Sequence, residues 1–150
     1  MAFDKSDLTR KRSVKKETES TNVYLKLLIQ LYTYLARRTE SKVIKTILKR
    51  LQQTRQFQRP ISYSRLGMFM RTNNRIADKK IAVVVGTVVD DTRDMEPVKG
   101  LRVCALRFTR SAKERIESRG GEAITFEELA RVAPTGANVV LFRGSRRTET

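Results

Sequence analysis

The sequence contains no histidine and only one cysteine, Cys104. The absence of histidine excludes the usual general acid-base side chain and the commonest metal ligand. One cysteine cannot form an internal disulfide or a thiolate zinc site. We expect Cys104 to be a buried, unreactive thiol in an apolar strand, because no histidine is present to activate it. The composition therefore predicts neither a metal nor any other cofactor.

Long apolar runs are absent as well. No stretch of 18 consecutive apolar residues occurs, so we expect no transmembrane helix. Residues 1–16 lack the apolar core that a signal peptide needs. These two observations favour an intracellular protein that has no membrane partner.

Acidic residues are scarce, above all in the first half of the chain. The 150 residues hold 32 Lys and Arg against 16 Asp and Glu, a net charge of +16. Residues 1–75 hold 18 basic and 5 acidic residues, whereas residues 76–150 hold 14 and 11. Such a charge indicates a polyanionic partner, which could be RNA, DNA or an anionic membrane surface, and says nothing about the fold. We expect the first half to make most of the contacts with it.

The distribution of apolar residues divides the chain into an arm and one domain. Residues 1–20 are rich in cations and poor in apolar side chains, which predicts a disordered basic arm. Residues 21–150 form the domain. It comprises a helical, polyanion-binding part at 21–75, an α/β core at 76–143 and a basic tail at 144–150.

Three helices are predicted in the helical part. The first spans residues 21–38, is capped by Ser20 or Thr21, and turns one apolar stripe toward the core. The second spans residues 41–54 behind a Ser41 cap, and the third runs from Ser62 to about Met70. The stripe of the first helix consists of Tyr24, Leu27, Leu28, Leu31, Tyr34 and Leu35. The buried face of the second consists of Ile44, Ile47, Leu48 and Leu51.

Short strands and helices alternate beyond residue 79. The pairs Ser111/Glu114 and Thr125/Glu128 have the spacing of capping boxes and predict helix starts, whereas Gly120-Gly121 predicts a helix end. Apolar, β-branched runs predict strands at residues 81–89, 101–108, 123–124 and 138–142. The fold class is therefore α/β, with N-terminal helices followed by a small mixed core, although the order of strands in the sheet cannot be read from the pattern.

A stripe of cations on the second helix is the strongest candidate for nucleic-acid contact. Lys42, Lys45 and Lys49 share one helical face, and Glu40 is the only acid between Thr21 and Arg75. Few intrahelical ion pairs can therefore neutralise the stripe, whereas phosphates can. The complete set of candidate RNA-binding residues is Lys5, Arg10, Lys11, Arg12, Lys15, Lys16, Arg37, Arg38, Lys42, Lys45, Lys49, Arg50, Arg55, Arg59, Arg65, Arg71, Arg75, Arg110, Arg143, Arg146 and Arg147.

One acidic cluster supports a competing interpretation. Asp90, Asp91, Asp94 and Glu96 lie within seven residues, and paired carboxylates can hold Mg²⁺ in nucleases. On that interpretation the chain is a free nucleic-acid-binding or RNA-processing factor with a metal site at the turn 90–96. The simpler interpretation is a solvated turn between two strands that performs no catalysis.

Several segments along the chain occur in a recognisable order and spacing. They read YLKLL at 24–28, LARRT at 35–39, LKRL at 48–51, SYSR at 62–65, AVVVGTVVDD at 82–91, VCALR at 103–107, TFEELA at 125–130 and PTG at 134–136. Together they resemble the L-eighteen family of large-subunit ribosomal proteins, which occurs in eukaryotes and archaea. The resemblance spans roughly residues 10–144.

The resemblance implies a fold and a function. The fold is a core of irregular strand-strand-helix turns, shared with the bacterial L-fifteen ribosomal proteins. The implied function is a structural role in the large ribosomal subunit, with ribosomal RNA and neighbouring ribosomal proteins as partners, no small-molecule substrate and no catalysis. The implied location is the cytoplasmic ribosome, with assembly in the nucleus or nucleolus in a eukaryote.

Overall fold

Five helices and five short strands make up the computed structural model, which describes residues 18, 20–93 and 98–145. The helices are α1 (Val23–Thr39), α2 (Lys42–Gln52), α3 (Tyr63–Arg71), α4 (Arg110–Ser118) and α5 (Phe126–Val132). The strands are β1 (Ile61–Ser62), β2 (Ile81–Val89), β3 (Arg102–Phe108), β4 (Glu122–Ile124) and β5 (Val139–Phe142). Short 3-10 turns occupy Arg55–Phe57 and Thr72–Asn74. The predicted α/β class is confirmed.

The strands form one parallel sheet around β2. β3 pairs with one side of β2, and β4 continues the sheet beyond β3. β5 and β1 share the other side of β2, where β5 pairs with residues 81–84 and β1 with residues 88–89. The chain that leaves β5 therefore runs toward the start of β1. Gly144 packs there so closely that a Cβ atom would lie 2.5 Å from the Pro60 carbonyl oxygen.

Helices cover both faces of the sheet. Ile81, Val83 and Cys104 point to one face and pack with α1, α2 and α5. Ala82 and Val84 point to the other face and pack with α3 and α4. Successive side chains of a strand alternate between faces, so a strand buried on both sides reads as a continuous apolar run. This arrangement explains the unbroken apolar sequence of β2.

Two of the predicted helix starts are wrong. Asn22 caps α1 in place of Ser20 or Thr21, and its side-chain oxygen accepts a hydrogen bond from the Tyr24 N–H at 3.1 Å. Thr109 caps α4 in place of Ser111 and accepts from the Ala112 N–H at 3.4 Å. Any Asn, Ser or Thr at a helix start can supply the capping oxygen. Neighbouring candidates are therefore distinguished only by where the backbone turns.

Other local predictions are confirmed. Thr125 and Glu128 form the reciprocal hydrogen bonds of a capping box at the start of α5. Gly120 has a positive φ of 74°, and the Gly121 N–H donates to the Ile116 carbonyl at 2.9 Å, which closes the end of α4. Ser62 caps α3 as expected, by accepting from the Arg65 N–H.

The buried face of α1 differs from the prediction. Tyr32 and Ala36 are its buried residues, whereas Tyr24 is 75% exposed and Tyr34 55% exposed. Of the predicted stripe, Leu28 and Leu35 pack on the core while Leu27 is exposed. α1 carries apolar residues around most of its circumference, so its periodicity fits more than one stripe, and packing selects among them.

The predictions for the two chain termini concern segments that the structure describes only in part. Of the predicted arm at residues 1–20, only Thr18 and Ser20 are described, and the predicted tail is described to Ser145. None of the helices in the described ranges is long and apolar enough to span a membrane.

Candidate RNA interface

Five of the arginines proposed from the sequence converge where β5 ends. Arg50 donates from Nη1 to the Phe142 carbonyl at 3.5 Å, and the Arg75 guanidinium lies 5.8 Å from the centre of the Phe142 ring. We name this group the β5-edge cluster. Its members are Arg50, Arg59, Arg65, Arg75 and Arg143.

The remaining members of the cluster are held by the chain that leaves β5. Arg143 donates to Gln53 Oε1 at 3.1 Å, and its guanidinium lies 5.9 Å from the centre of the Phe57 ring. Arg65 reaches across from α3 and donates to Ser145 Oγ at 3.2 Å. These contacts bring cations from α2, α3 and the segment after β5 to one edge of the sheet.

Backbone packing holds Arg59 in the same place. A Cβ atom on Gly144 would lie 2.7 Å from the Arg59 Cβ and 2.9 Å from its carbonyl oxygen, so only glycine permits this approach. Arg59 is adjacent to Pro60 and precedes β1, the strand that completes this edge of the sheet. The cluster therefore depends on the pairing of β1 and β5 with the same side of β2.

Aromatic rings orient part of the cluster. Phe69 of α3 stacks on Phe142 of β5 with ring centroids 5.7 Å apart and an interplanar angle of 11°. Arg75 lies against this pair and also donates to the Phe69 carbonyl at 3.3 Å. An aromatic face attracts a guanidinium and restricts its orientation. Arg75 is thus held with several of its N–H groups still available.

The arginines of the β5-edge cluster have no carboxylate partner among the residues that the structure describes. Burial lowers the pKa of Arg50, and the nearby positive charge of Arg143 lowers it further. Like charges held this close create a positive potential that a polyanion would relieve.

The lysine stripe of α2 is exposed and adjoins the cluster in sequence. Lys42, Lys45 and Lys49 are all exposed, whereas Ile44 and Ile47 of the same helix are fully buried. Lys49 immediately precedes Arg50 of the cluster. The structure therefore places the predicted stripe on the solvent side of α2.

Other proposed RNA contacts lie outside the cluster. Arg37 and Arg38 are exposed in the last turn of α1, where the Arg38 guanidinium lies 5.3 Å from the centre of the Tyr34 ring. Arg71 lines an open cleft together with Arg65. Arg110 is exposed and pairs with Glu114 at 2.9 Å. The structure does not describe Lys5, Arg10, Lys11, Arg12, Lys15, Lys16, Arg146 and Arg147.

The acidic turn after β2 is held by arginines. Asp90 pairs with Arg115 at 2.8 Å, and Asp91 pairs with Arg93 at 3.1 Å. The hydrogen bond from Arg93 is the main reason that the pKa of Asp91 lies below its usual value, and Ser64 also donates to this carboxylate. No group of three potential metal ligands forms within the described part of the chain, and Asp94 and Glu96 lie outside it.

Cys104 is fully buried in β3, as predicted. Burial raises the pKa of its thiol, and the charge of Glu128 raises it further. The thiol is therefore protonated at neutral pH, which is the unreactive form.

Sequence reasoning left out several exposed cations, among them Arg107 of β3. It lines a cleft that Arg55 also lines. Arg107 was left out because it stands inside a run assigned to an apolar strand. A cation near the end of such a run can mark the point where the strand reaches the surface, and this signal was available in the sequence.

The fold and the cluster define a class of protein: a small, strongly basic α/β protein with a cationic edge that no acid of the described ranges pairs with. Residues 2–150 match the model of the family described as ribosomal protein 60S L18 and 50S L18e. The chain belongs to this family, and the resemblance noted from the sequence is confirmed.

Curated relatives are similar in sequence to this chain over most of their length. The large ribosomal subunit protein eL18 of Trypanosoma cruzi (strain CL Brener) is 49% identical over 141 aligned residues, and the alignment covers 91% of this chain and 72% of the relative. The eL18 protein of Dictyostelium discoideum is 46% identical over 144 aligned residues, with coverage of 96% of this chain and 77% of the relative. The eL18 protein of Tetrahymena thermophila is 44% identical over 151 aligned positions, with coverage of 99% of this chain and 81% of the relative.

Proposed function

We propose that this chain is a structural constituent of the large ribosomal subunit that binds and stabilises folded ribosomal RNA. The observation that carries the proposal is the β5-edge cluster, five arginines with no carboxylate partner in the described ranges. Membership of a ribosomal protein family supports it, as do relatives that bear the name large ribosomal subunit protein.

The chemistry of the cluster suits phosphate groups. A guanidinium presents a planar fork of N–H donors that matches two phosphate oxygens, and contact with an aromatic ring leaves that fork free. Arg75 and Arg143 lie over Phe142 and Phe57 respectively. Each also donates one hydrogen bond to an oxygen of the protein, which leaves its other N–H groups for phosphate. The lysines of α2 act as additional point charges. We expect recognition by RNA shape and phosphate spacing with little reading of bases.

The termini extend the same role. The division into a basic arm at residues 1–20, a domain and a basic tail at residues 144–150 is part of this proposal, in which the arm lies along RNA. Further partners are neighbouring proteins of the large subunit. The proposed location is the cytoplasmic ribosome, with assembly in the nucleolus in a eukaryotic cell.

The competing function, an RNA-processing factor with a metal at the acidic turn, is not favoured. The chain belongs to a ribosomal protein family. Asp90 and Asp91 are each engaged by an arginine, and no group of three potential metal ligands forms among the described residues.

Co-sedimentation tests the proposal. Tagged chain is expressed in cells, and the lysate is resolved on sucrose gradients at increasing salt. The test variant carries Arg65→Gln and Arg143→Gln, which remove two cluster charges. The matched control carries Arg93→Gln and Arg102→Gln, which remove two charges that are paired with Asp91 and Glu122.

We expect the parent chain in the large-subunit fractions and its release from them only at high salt. The test variant should be released at lower salt than the control, because each lost phosphate contact reduces binding that depends on counterion release. A parent chain that stays at the top of the gradient would refute the proposal. Release of the two double variants at the same salt concentration would show that the cluster does not contact RNA in the subunit.

A further inference from the structure

A cleft of about 370 Å³ opens between the first turn of α1, the 3-10 turn Arg55–Phe57 and the sheet. Residues from β2 and β3, including Thr87 and Arg107, form its inner wall. The volume lies in the range of sites that bind small molecules. The cleft also borders the β5-edge cluster, because Gln58 lines the cleft and the next residue, Arg59, belongs to the cluster.

The rim of the cleft is built by hydrogen bonds in the segment that precedes α1. The Thr18 N–H donates to the Gln52 carbonyl at 2.7 Å, which anchors this segment to the end of α2. The Thr18 hydroxyl then accepts from the Ser20 N–H, and the Ser20 hydroxyl accepts from the Asn22 N–H, each at 3.2 Å. Thr18, Ser20 and Asn22 are therefore fixed by hydrogen bonds before α1 begins.

Gly86 allows the wall of the cleft that contains Gln58 to lie close to the sheet. A Cβ atom on Gly86 would lie 2.9 Å from the Arg59 carbonyl oxygen, a contact with backbone that cannot readily give way. The bare backbone of Gly86 lets the segment of Gln58 and Arg59 cross close to β2. The two walls are thus set by the fold of the free protein.

The lining of the cleft combines three kinds of chemistry. Arg55 and Arg107 are both exposed, and the described residues that line the cleft include no acid. The Tyr24 ring is 75% exposed at the mouth. Leu28 and Leu106 supply an apolar floor. Two cations attract an anion, and a free aromatic face with an apolar floor suits a planar ring.

We propose that the cleft binds one unstacked nucleotide of RNA. The base stacks on Tyr24 over the apolar floor, and Arg55 and Arg107 contact the adjoining phosphates. Unpaired bases commonly stack on aromatic side chains of proteins while cations follow the backbone. This inference rests on the proposed function, since the nucleotide belongs to the RNA that lies along the β5-edge cluster.

The cleft and the β5-edge cluster should prefer different forms of RNA, and this difference can be tested. In this proposal the cleft takes an unpaired base, which a duplex does not offer, whereas the cluster contacts phosphates, which a duplex does offer. The probes are a single-stranded oligoadenylate of about 12 nucleotides and a blunt RNA duplex of about 16 base pairs. The variants are Tyr24→Ala, Tyr24→Phe and Arg107→Gln. The matched control is Tyr34→Ala, an exposed tyrosine of the same helix whose ring is covered by Arg38.

Tyr24→Ala should weaken oligoadenylate binding on the order of 5- to 150-fold, the loss of one base-aromatic stack. Arg107→Gln should weaken it as well, whereas Tyr24→Phe should bind like the parent because the ring is retained. Duplex affinity should change less than about twofold in the two Tyr24 variants, since they remove no charge. Tyr24 is exposed, so its replacement leaves the core intact.

Two results would overturn the inference. One is an equal loss of oligoadenylate binding in Tyr24→Ala and Tyr34→Ala. The other is a Tyr24→Ala effect that is as large on the duplex as on the single strand. Failure of the proposed function would look different. The parent chain would bind neither RNA probe, and the variant with Arg65→Gln and Arg143→Gln would not differ from the parent in its response to the duplex.

Discussion

Tyr32 connects the helices on one face of the sheet through a single polar atom. Its hydroxyl donates to the Phe126 carbonyl at 2.8 Å, and its ring meets that of Phe126 edge-on with centroids 5.9 Å apart. The side chain is fully buried. Burial raises the pKa of its hydroxyl, and the proximity of Cys104 raises it further. Tyr32 therefore acts as a neutral donor that ties α1 to α5.

Replacing Tyr32 with Phe tests this hydrogen bond. The free energy of unfolding should fall by about 0.5–1.5 kcal/mol, the net contribution of a typical hydrogen bond, because the ring is kept and only the donor is lost. Tyr34→Phe removes the same atom from an exposed tyrosine of the same helix, and the change should stay within about 0.5 kcal/mol. Denaturant titration measures both values. An equal loss of unfolding free energy in the two variants would show that the buried hydrogen bond contributes no more to stability than the exposed hydroxyl does.

At the scale of the element, α2 keeps an arrangement that is unfavourable for the isolated helix. Its first turn contains Lys42 and Lys45 and no acid, although the N-terminal end of a helix carries a positive partial charge. The Ser41 side chain makes no capping hydrogen bond. Ile44, Ile47 and Leu51 are buried and hold the helix in place. Packing thus maintains a helix whose exposed lysines form no ion pair with any described acid.

Changing Lys42, Lys45 and Lys49 to Gln should weaken binding to the RNA duplex without unfolding the protein. If each lysine neutralises one phosphate, the slope of log affinity against log salt, measured between about 50 and 200 mM, should shrink by roughly 2–3 units. Thermal unfolding should show an unchanged or slightly raised midpoint, since two repulsive charges leave the first turn. An unchanged slope would mean that the stripe faces solvent in the complex.

At the scale of the whole molecule, a two-sided apolar core coexists with a large excess of positive charge. The domain has apolar clusters on both faces of its sheet, whereas the net charge of +16 is concentrated in the first half of the sequence. A net charge of this size opposes compaction by self-repulsion. Binding to RNA removes that repulsion, so RNA should stabilise the fold by mass action.

Deletion of residues 1–16 should separate folding from docking. These residues carry six Lys and Arg and few apolar side chains, so their loss should leave the thermal midpoint of the free domain within about a degree or two. RNA affinity should fall strongly at low salt and much less at high salt, because phosphate contacts depend on counterion release. The deletion stops before Thr18, whose backbone N–H is bound to Gln52.

Either of two results would contradict this prediction. A large drop in the midpoint of the free domain would show that the arm packs on the core. Protease cleavage of the arm at the same rate in free protein and in the assembled subunit would show that the arm never docks on RNA.

The sequence by itself determined the partner class and most of the secondary structure. The +16 charge pointed to a polyanion, and the collinear segments pointed to the family that the comparisons then confirmed. The apolar run of β2, the capping box at Thr125 and the glycine end of α4 are encoded within a few residues, so each was predicted correctly. Such signals depend on the local chain. They are not infallible, because the same capping-box spacing at Ser111 and Glu114 placed a helix start two residues after its true cap, Thr109.

Only the tertiary structure decided which surfaces face outward and which cations meet. The buried face of α1 was mispredicted because that helix is apolar on several sides and its contacts with other elements select one. Arg65 and Ser145 are 80 residues apart, yet they meet because β1 and β5 pair with the same side of β2. The order of strands in a sheet is not encoded in any local sequence pattern. The β5-edge cluster and the cleft at Tyr24 therefore exist only after long-range pairing has closed the sheet.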